Sequence, residues 1–446
     1  MPQLLLIAYG CPPRIDAGSI RPTGIMKYLP RFGWEVTVLT PELPPGPRPS
    51  TRIIETGYSN VLDKWKARIG LDPKSTVHDQ LRLSQSANPS SRRLHTTLLE
   101  AAKWVIAYPD ETKGWIRFAK ETLSRVGREL RFDAILSTYP PAPSHIIGAY
   151  ARQVLNCPWI ADFRDLWGQQ RHWGVRQIMQ PFYARLERKT LRKADALVTV
   201  SEPWALRLRE RFPTKPVYTI TNGFDPADFS TARPPLSKRF SITHAGYLYD
   251  GMRDPRLLFE ALRELIAKGL VDRNDVEVRF YGPAEAWLFQ LVEKYGLHGS
   301  VNVCGVVPRA EALQREAESQ ILLLLGWSDL RETGQHTGKL FEYLGSARPI
   351  LAVGGARGVL TETLDETQAG KHVQSAQELQ EYLLAAYTEF KRTGSVSYNP
   401  DKRAIAQYTH EEMARRFAEV LSATVENRRA DLSNLSCDDA VAHSLS

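Results

Sequence analysis

The sequence predicts an α/β protein of two successive domains, each a doubly wound parallel sheet. Three observations carry this expectation. Short apolar runs, too brief for helices, alternate with stretches of helical periodicity. A proline- and glycine-rich stretch near the middle interrupts the alternation, which then restarts. The length of 446 residues suits two domains of about 200 residues each.

In chain order, "LLLIAY" (4–9) is the first strand candidate and a Gly/Pro loop follows it. Ile20, Ile25, Met26 and Leu29 then mark one helical face over 20–32, ended by Gly33. "WEVTVLT" (34–40), "AILST" (134–138), "WIA" (159–161), "ALVTV" (196–200) and "VYTI" (217–220) read as further strands, with helical patterns between them. Residues 56–110 break the rhythm as an insertion, so the first domain spans 1–220. Asn222-Gly223, Pro226, Pro234 and Pro235 make 221–238 a linker. Strands resume at "FSITHAG" (240–246), "VEVRFYG" (276–282), "VNVCGVV" (301–307), "ILLLLG" (321–326) and "PILAVG" (349–354), separated by helical runs such as 256–268 and 284–295. This second domain covers 239–408. A terminal helix is expected over 409–426, and the polar tail 427–446 is expected to be disordered. Two parallel sheets joined by a hinge predict a cleft between their carboxyl ends, where ligands meet loops and helix N-termini.

Composition narrows the class. A 43% hydrophobic content supplies two cores. The four cysteines are scattered and show no metal-ligand spacing, which points to a reducing compartment without disulfides or zinc. "MPQLLLIAYG" is too short for a secretory signal, and no window of 18 apolar residues predicts a membrane span. The expected location is cytoplasmic, with peripheral attachment to the inner face of the plasma membrane. That attachment is read from residues 64–103, where eight Lys/Arg face three acids for a net +5, with Trp65 and Trp104 at the ends. A solvated basic loop is the plainer alternative. Nucleic acid is not an expected partner, since no binding module accompanies the charge.

Six blocks, in order across both halves, resemble the GT-B glycosyltransferases of family 4. They are the opening "YGCPPRIDAGSIRPTGIMKYLPRFGWEVTVLT", "PWIADFRDLW" (158–167), "TVSEPWALRLRE" (199–210), "TNGFDPADF" (221–229), "HAGYLYDGMRDPRLLFEAL" (244–262) and "TGKLFEYLGSARPILAV" (337–353). "YPDETKGWIRFA" (108–119) and "STYPPAPSHIIGA" (137–149) resemble a bacterial branch. The resemblance covers roughly residues 3–425. It implies two Rossmann-like domains, an acceptor-side one and a donor-binding one. It also implies sugar transfer from a nucleotide-diphosphate sugar to a lipid-linked or saccharide acceptor in bacterial envelope polysaccharide synthesis. Retention of anomeric configuration is implied too, with the leaving phosphate as base and neither metal nor other cofactor. A sugar-nucleotide epimerase and a non-catalytic scaffold in a polysaccharide assembly complex are the competing readings.

The candidate residues follow from both lines. Thr337 and Gly338 open a helix whose free amides suit a diphosphate, and Lys339 adds a cation. Glu342 shares its face with Lys339 and, by the resemblance, takes the ribose hydroxyls; an ordinary helix cap with a Lys–Glu pair is the alternative. The family glutamate eight positions earlier is Gly334 here, with Glu332 nearby but out of register. The family clamps donor phosphates with two cations six apart, a spacing occupied here by Tyr247 and Arg253. Gly18 is expected to let a loop approach the donor. Asp162, Arg164 and Asp165 follow a strand and are expected to project into the cleft, where Asp165 or Asp162 orients or deprotonates an acceptor hydroxyl. An internal Asp–Arg pair is the alternative. Of the lone histidines, His145 reads as structural and His244, at a strand end beside Gly246, as the better site candidate.

Overall fold

The computed structural model describes residues 1–14, 16–68, 72, 105–167, 176–229 and 234–444. The chain divides into two units, Met1–Ile220 together with Ala414–Ser446, and Thr221–Met413.

The first unit holds seven strands: β1 (Gln3–Ile7), β2 (Glu35–Pro41), β3 (Arg52–Thr56), β4 (Ala134–Tyr139), β5 (Trp159–Phe163), β6 (Ala196–Thr199) and β7 (Val217–Thr219). Their order is β3-β2-β1-β4-β5-β6-β7 and every pairing is parallel. Leu4 lies between Val36 and Ala134, so β1 is central and its apolar residues are buried on both faces. The order reverses between β1 and β4, which is where such a sheet opens a ligand site at its carboxyl edge. β3 is absent from the expected strands because its residues, at the sheet edge, are only half-buried and carry little apolar signal.

Of the insertion expected over 56–110, the helix Val61–Arg68 displays Lys64 and Arg68 to solvent, with Lys66 and Trp65 half-buried. Lys74, Arg82, Arg92, Arg93, Lys103 and Trp104 lie outside the described residues. Among the described residues, no helix is long and apolar enough to cross a membrane.

The second unit holds β8 (Phe240–Ala245), β9 (Val276–Tyr281), β10 (Val301–Gly305), β11 (Ile321–Leu325), β12 (Ile350–Val353) and β13 (Gly370–Val373) in the order β10-β9-β8-β11-β12-β13, again all parallel. β11 shows how the sequence builds its layers. Ile321, Leu323 and Leu325 enter the core on one face with Phe240, Ile242 and Phe259, while Leu322 and Leu324 meet Leu340, Phe341 and Tyr343 on the other. Gly282, after β9, has φ +154°, and a Cβ there would lie 2.2 Å from the Gly246 carbonyl oxygen, so the chain ends of β8 and β9 meet only because no side chain intervenes.

Two expected boundaries shift. The segment read as the start of a linker is tied down: Phe224 N–H donates to the Tyr408 carbonyl at 3.0 Å and His410 N–H to the Phe224 carbonyl at 2.8 Å. The terminal helix runs His410–Ser444, so residues 427–444, expected to be disordered, have helical backbone. From Ala414 onward this helix belongs to the first unit. Its Phe417 is buried under the Arg21 guanidinium at 4.9 Å, and Arg428 donates to the Asn156 side-chain oxygen at 2.7 Å.

Candidate active site

In the second unit, the helix Gly338–Ser346 begins just past the carboxyl edge of β11. Its N-cap residue, Thr337, has extended backbone but makes no side-chain cap bond. The Thr337 hydroxyl instead accepts from Arg253 Nη2 at 3.2 Å. The first-turn amides therefore have no side-chain acceptor, and the positive end of the helix dipole stands beside a second positive group. Gly338 is exposed, and a Cβ on it would meet nothing within 4 Å, which leaves room for a ligand against the backbone.

Arg253 is only 7% exposed and is held from several sides. Its amide donates to the Leu248 carbonyl at 3.0 Å, its guanidinium lies 5.3 Å from the Tyr249 ring centroid, and its backbone bridges to Trp327. A depression beside it is lined by Arg253, Thr337, Glu332, Thr333 and Gly355. Arg253, Thr337 and Glu332, three residues singled out in the sequence, thus come together. Tyr247 does not replace the family's second cation: it is 60% exposed and tilts against Tyr249 at 5.9 Å between ring centroids.

Lys339 and Glu342 pair at 3.0 Å, as one helical turn allows. No local pattern marks their third member. Glu316, on the helix Arg309–Ala317, is fully buried with Oε1 3.6 Å from Lys339 Nζ. Ser346 Oγ lies 2.9 Å from Glu316 Oε2. Burial and the neighbouring Glu342 carboxylate push the Glu316 carboxyl up, to about 8.

His244 is not open to a ligand. It is fully buried at the end of β8, with Nδ1 3.0 Å from the Leu323 carbonyl. That contact makes Nδ1 the protonated nitrogen. Burial pulls the ring down to about 3, so it is neutral.

In the first unit the carboxyl edge of β5 carries Asp162, Arg164 and Asp165. Asp162 is fully buried and bound bidentately by Arg21, with Arg21 Nε to Oδ2 at 3.0 Å and Nη2 to Oδ1 at 2.8 Å. Thr138 Oγ1 also donates to Oδ2 at 2.7 Å. This is the internal ion pair weighed for the loop, but its partner is Arg21, not Arg164. A carboxylate so enclosed does not meet an acceptor, which removes Asp162 from the catalytic candidates.

Arg164 is likewise spent on structure. Nη1 donates to the Gly18 carbonyl at 2.7 Å, Nε to the Tyr139 carbonyl at 3.3 Å and Nη2 to the Pro140 carbonyl. It ties the loop after β1, at Gly18, to the loop after β4. Asp165 is half-buried, and burial pushes its carboxyl up to about 6 against the pull of Arg164. Among the catalytic candidates it alone is placed to exchange a proton near neutral pH. His145 sits in an aromatic cage of Tyr139, Phe163 and Trp167, with Nδ1 2.7 Å from Ser137 Oγ, and burial lowers it to about 3. It is structural, as expected. Among the described residues, no group of three His, Cys, Asp or Glu side chains is arranged to hold a metal ion.

Residues 19–223 match the glycosyl transferase 4-like domain. No curated protein matches the chain. Among solved structures, Anabaena HepE in complex with UDP and glucose is similar with a TM-score of 0.61 and 13% identity, covering 95% of this chain and 100% of that one. Sucrose-phosphate synthase from Thermosynechococcus elongatus is similar at 0.57 and 15%, covering 98% and 100%. A glycosyltransferase from Rickettsia africae is similar at 0.58 and 14%, covering 96% and 99%. At these identities the likeness is one of fold.

Proposed function

We propose that the chain is a family 4 glycosyltransferase of GT-B fold, on the match of residues 19–223 and the shared fold, and that it transfers a hexose, with retention of configuration, from a nucleotide-diphosphate sugar to a lipid-linked or saccharide acceptor of the bacterial envelope. The observation that carries the donor side is the uncapped helix start at Thr337–Lys339 with Arg253 bound to Thr337. HepE, of similar fold, holds UDP-glucose in one of its structures. In the reaction the acceptor oxygen bonds to the anomeric carbon as the bond to the diphosphate breaks. The acceptor proton passes to the leaving phosphate. Lys339, Arg253 and the helix amides take the charge that develops on the diphosphate. Incubation with a panel of radiolabelled nucleotide sugars and membrane lipid extract tests this directly. Label moving into lipid or glycan is expected. Release of free sugar alone, or its isomerisation, would favour the epimerase reading.

Metal independence is part of the same proposal, because fixed cations and amides supply the neutralisation. Turnover in EDTA is expected to equal turnover without it, and loss of activity restored by magnesium or manganese would overturn this.

The acceptor side rests on the net +5 of residues 64–103, of which Lys64 and Arg68 are exposed on one helix. Each such side chain near an anionic surface contributes about 1 kcal/mol, so half of the eight suffice for reversible attachment. The protein is expected to sediment with anionic liposomes at low salt and to be released at high salt. Equal sedimentation with neutral and anionic liposomes, or with neither, would leave a soluble acceptor as the better reading.

A further inference from the structure

Lys339 is held by two carboxylates. Its Nζ is 3.0 Å from Glu342 Oε1 and 3.6 Å from Glu316 Oε1. Glu342 is 7% exposed and Glu316 is fully buried. With both acids ionised, a largely buried cluster would hold a net charge of −1, which is costly. With one proton added, the three groups are neutral together.

The hydrogen-bond geometry has a place for that proton on Glu316. Ser346 Oγ lies 2.9 Å from Glu316 Oε2 and 3.0 Å from the Glu342 main-chain carbonyl. A serine hydroxyl has one proton. If Glu316 is ionised, both oxygens compete for it. If Glu316 is protonated on Oε2, it donates to Ser346 Oγ, and Ser346 donates to the carbonyl. Every proton in the chain then has its own acceptor.

The other charged or titratable groups facing this cluster do not supply the proton. Tyr343 accepts from the Ala245 amide at 3.0 Å and donates to the Leu323 carbonyl at 3.3 Å, and burial raises its phenol further. His244 is neutral. Arg253 is bound to Thr337. On the cluster's own helix, Arg315 pairs with Glu311 and Glu318.

We propose that Glu316 is a positioning residue for Lys339, and that the proton on Glu316 is what frees the lysine to hold a donor diphosphate. This rests on the reading of Thr337–Lys339 as the diphosphate site. A diphosphate brings negative charge to Lys339. If Glu316 is ionised, drawing the ammonium toward phosphate strips a buried carboxylate of its counter-ion. Binding therefore favours the protonated state and takes up a proton wherever the free protein has lost it. The sign follows: affinity is constant where Glu316 is protonated and falls as pH rises through its titration near 8.

The test is calorimetric titration with UDP-glucose, ADP-glucose, GDP-mannose and CDP-glucose, whose diphosphates carry no titrating proton in this range. For whichever binds, the association constant is expected to fall by up to about tenfold per pH unit above about pH 8, with matching proton uptake. Glu316→Gln, which mimics the protonated acid, is expected to bind within about twofold of the parent at neutral pH and to show a flat profile. A flat profile in the parent, or the same slope in Glu316→Gln, would overturn the coupling.

A ligand-free measurement separates this from the donor-site reading. On a Glu187→Gln background, needed because burial also pushes Glu187 up to about 8, the infrared carbonyl stretch of a protonated carboxyl is expected at neutral pH and lost by about pH 9. Its absence at neutral pH would overturn the proposal even if Glu316→Gln failed to fold. If no nucleotide sugar binds at any pH, the donor-site reading falls and the coupling with it, while the band still reports the proton on Glu316.

Discussion

Asp162→Ala is expected to lower the stability of the first unit by about 3–5 kcal/mol, the cost of stripping one partner from a buried ion pair. Arg21 is 2% exposed and cannot turn to water for replacement bonds. It also donates to the Ile220 carbonyl at 2.9 Å and lies against Phe417, so its guanidinium is fixed where Asp162 needs it. Thr138 loses its acceptor as well. In thermal denaturation the transition should fall by on the order of 10 °C. Replacing the pair together, as Arg21→Met with Asp162→Leu, should recover part of the loss, because no unpaired charge is then left inside. A single variant as stable as the parent would show that the pair is dispensable, and would return Asp162 to the catalytic candidates.

Lys339→Met carries the second large effect. Removing one charged hydrogen-bond donor from the diphosphate should cost about 1.5–3 kcal/mol of donor affinity, roughly 10- to 150-fold in Kd. Two neighbouring acids lose their shared cation, and at least Glu316 can remain protonated, so the variant should stay folded at neutral pH. Titration calorimetry gives the affinity and circular dichroism the fold. A folded Lys339→Met that binds nucleotide sugar as the parent does would mean that the helix start is not the diphosphate site.

The two effects illustrate different kinds of legibility. Apolar runs such as 4–9 and 321–326 determined by themselves that β1 and β11 exist, because strands buried on both faces admit little else. The start of the helix at 338 was equally local, written in Thr337, Gly338 and the spacing of Lys339 to Glu342. The edge strands β3 and β13 are not legible locally: "RIIET" and "GKHV" have mixed polarity and take their conformation from a neighbour's ladder. The last helix runs past its expected end because "NRRADLSNLS" has no breaker, and polarity alone does not break a helix.

For side chains, the sequence determined which residues stand at the carboxyl edges, and only the tertiary structure decided what they do there. Asp162, Arg164 and Asp165 look alike on paper, being charges just after a strand. Asp162 is taken by Arg21, 141 positions away, and Arg164 by carbonyls from two other loops. Asp165 is left with burial as its main influence. Lys339 and Glu342 were a visible pair, yet the acid that sets their charge balance, Glu316, comes from another helix. The reason is physical. Strand and helix formation follow from periodicity along the chain, whereas the state of a charged group follows from solvent access and from partners within a few ångströms, and the fold brings those partners from anywhere in the sequence.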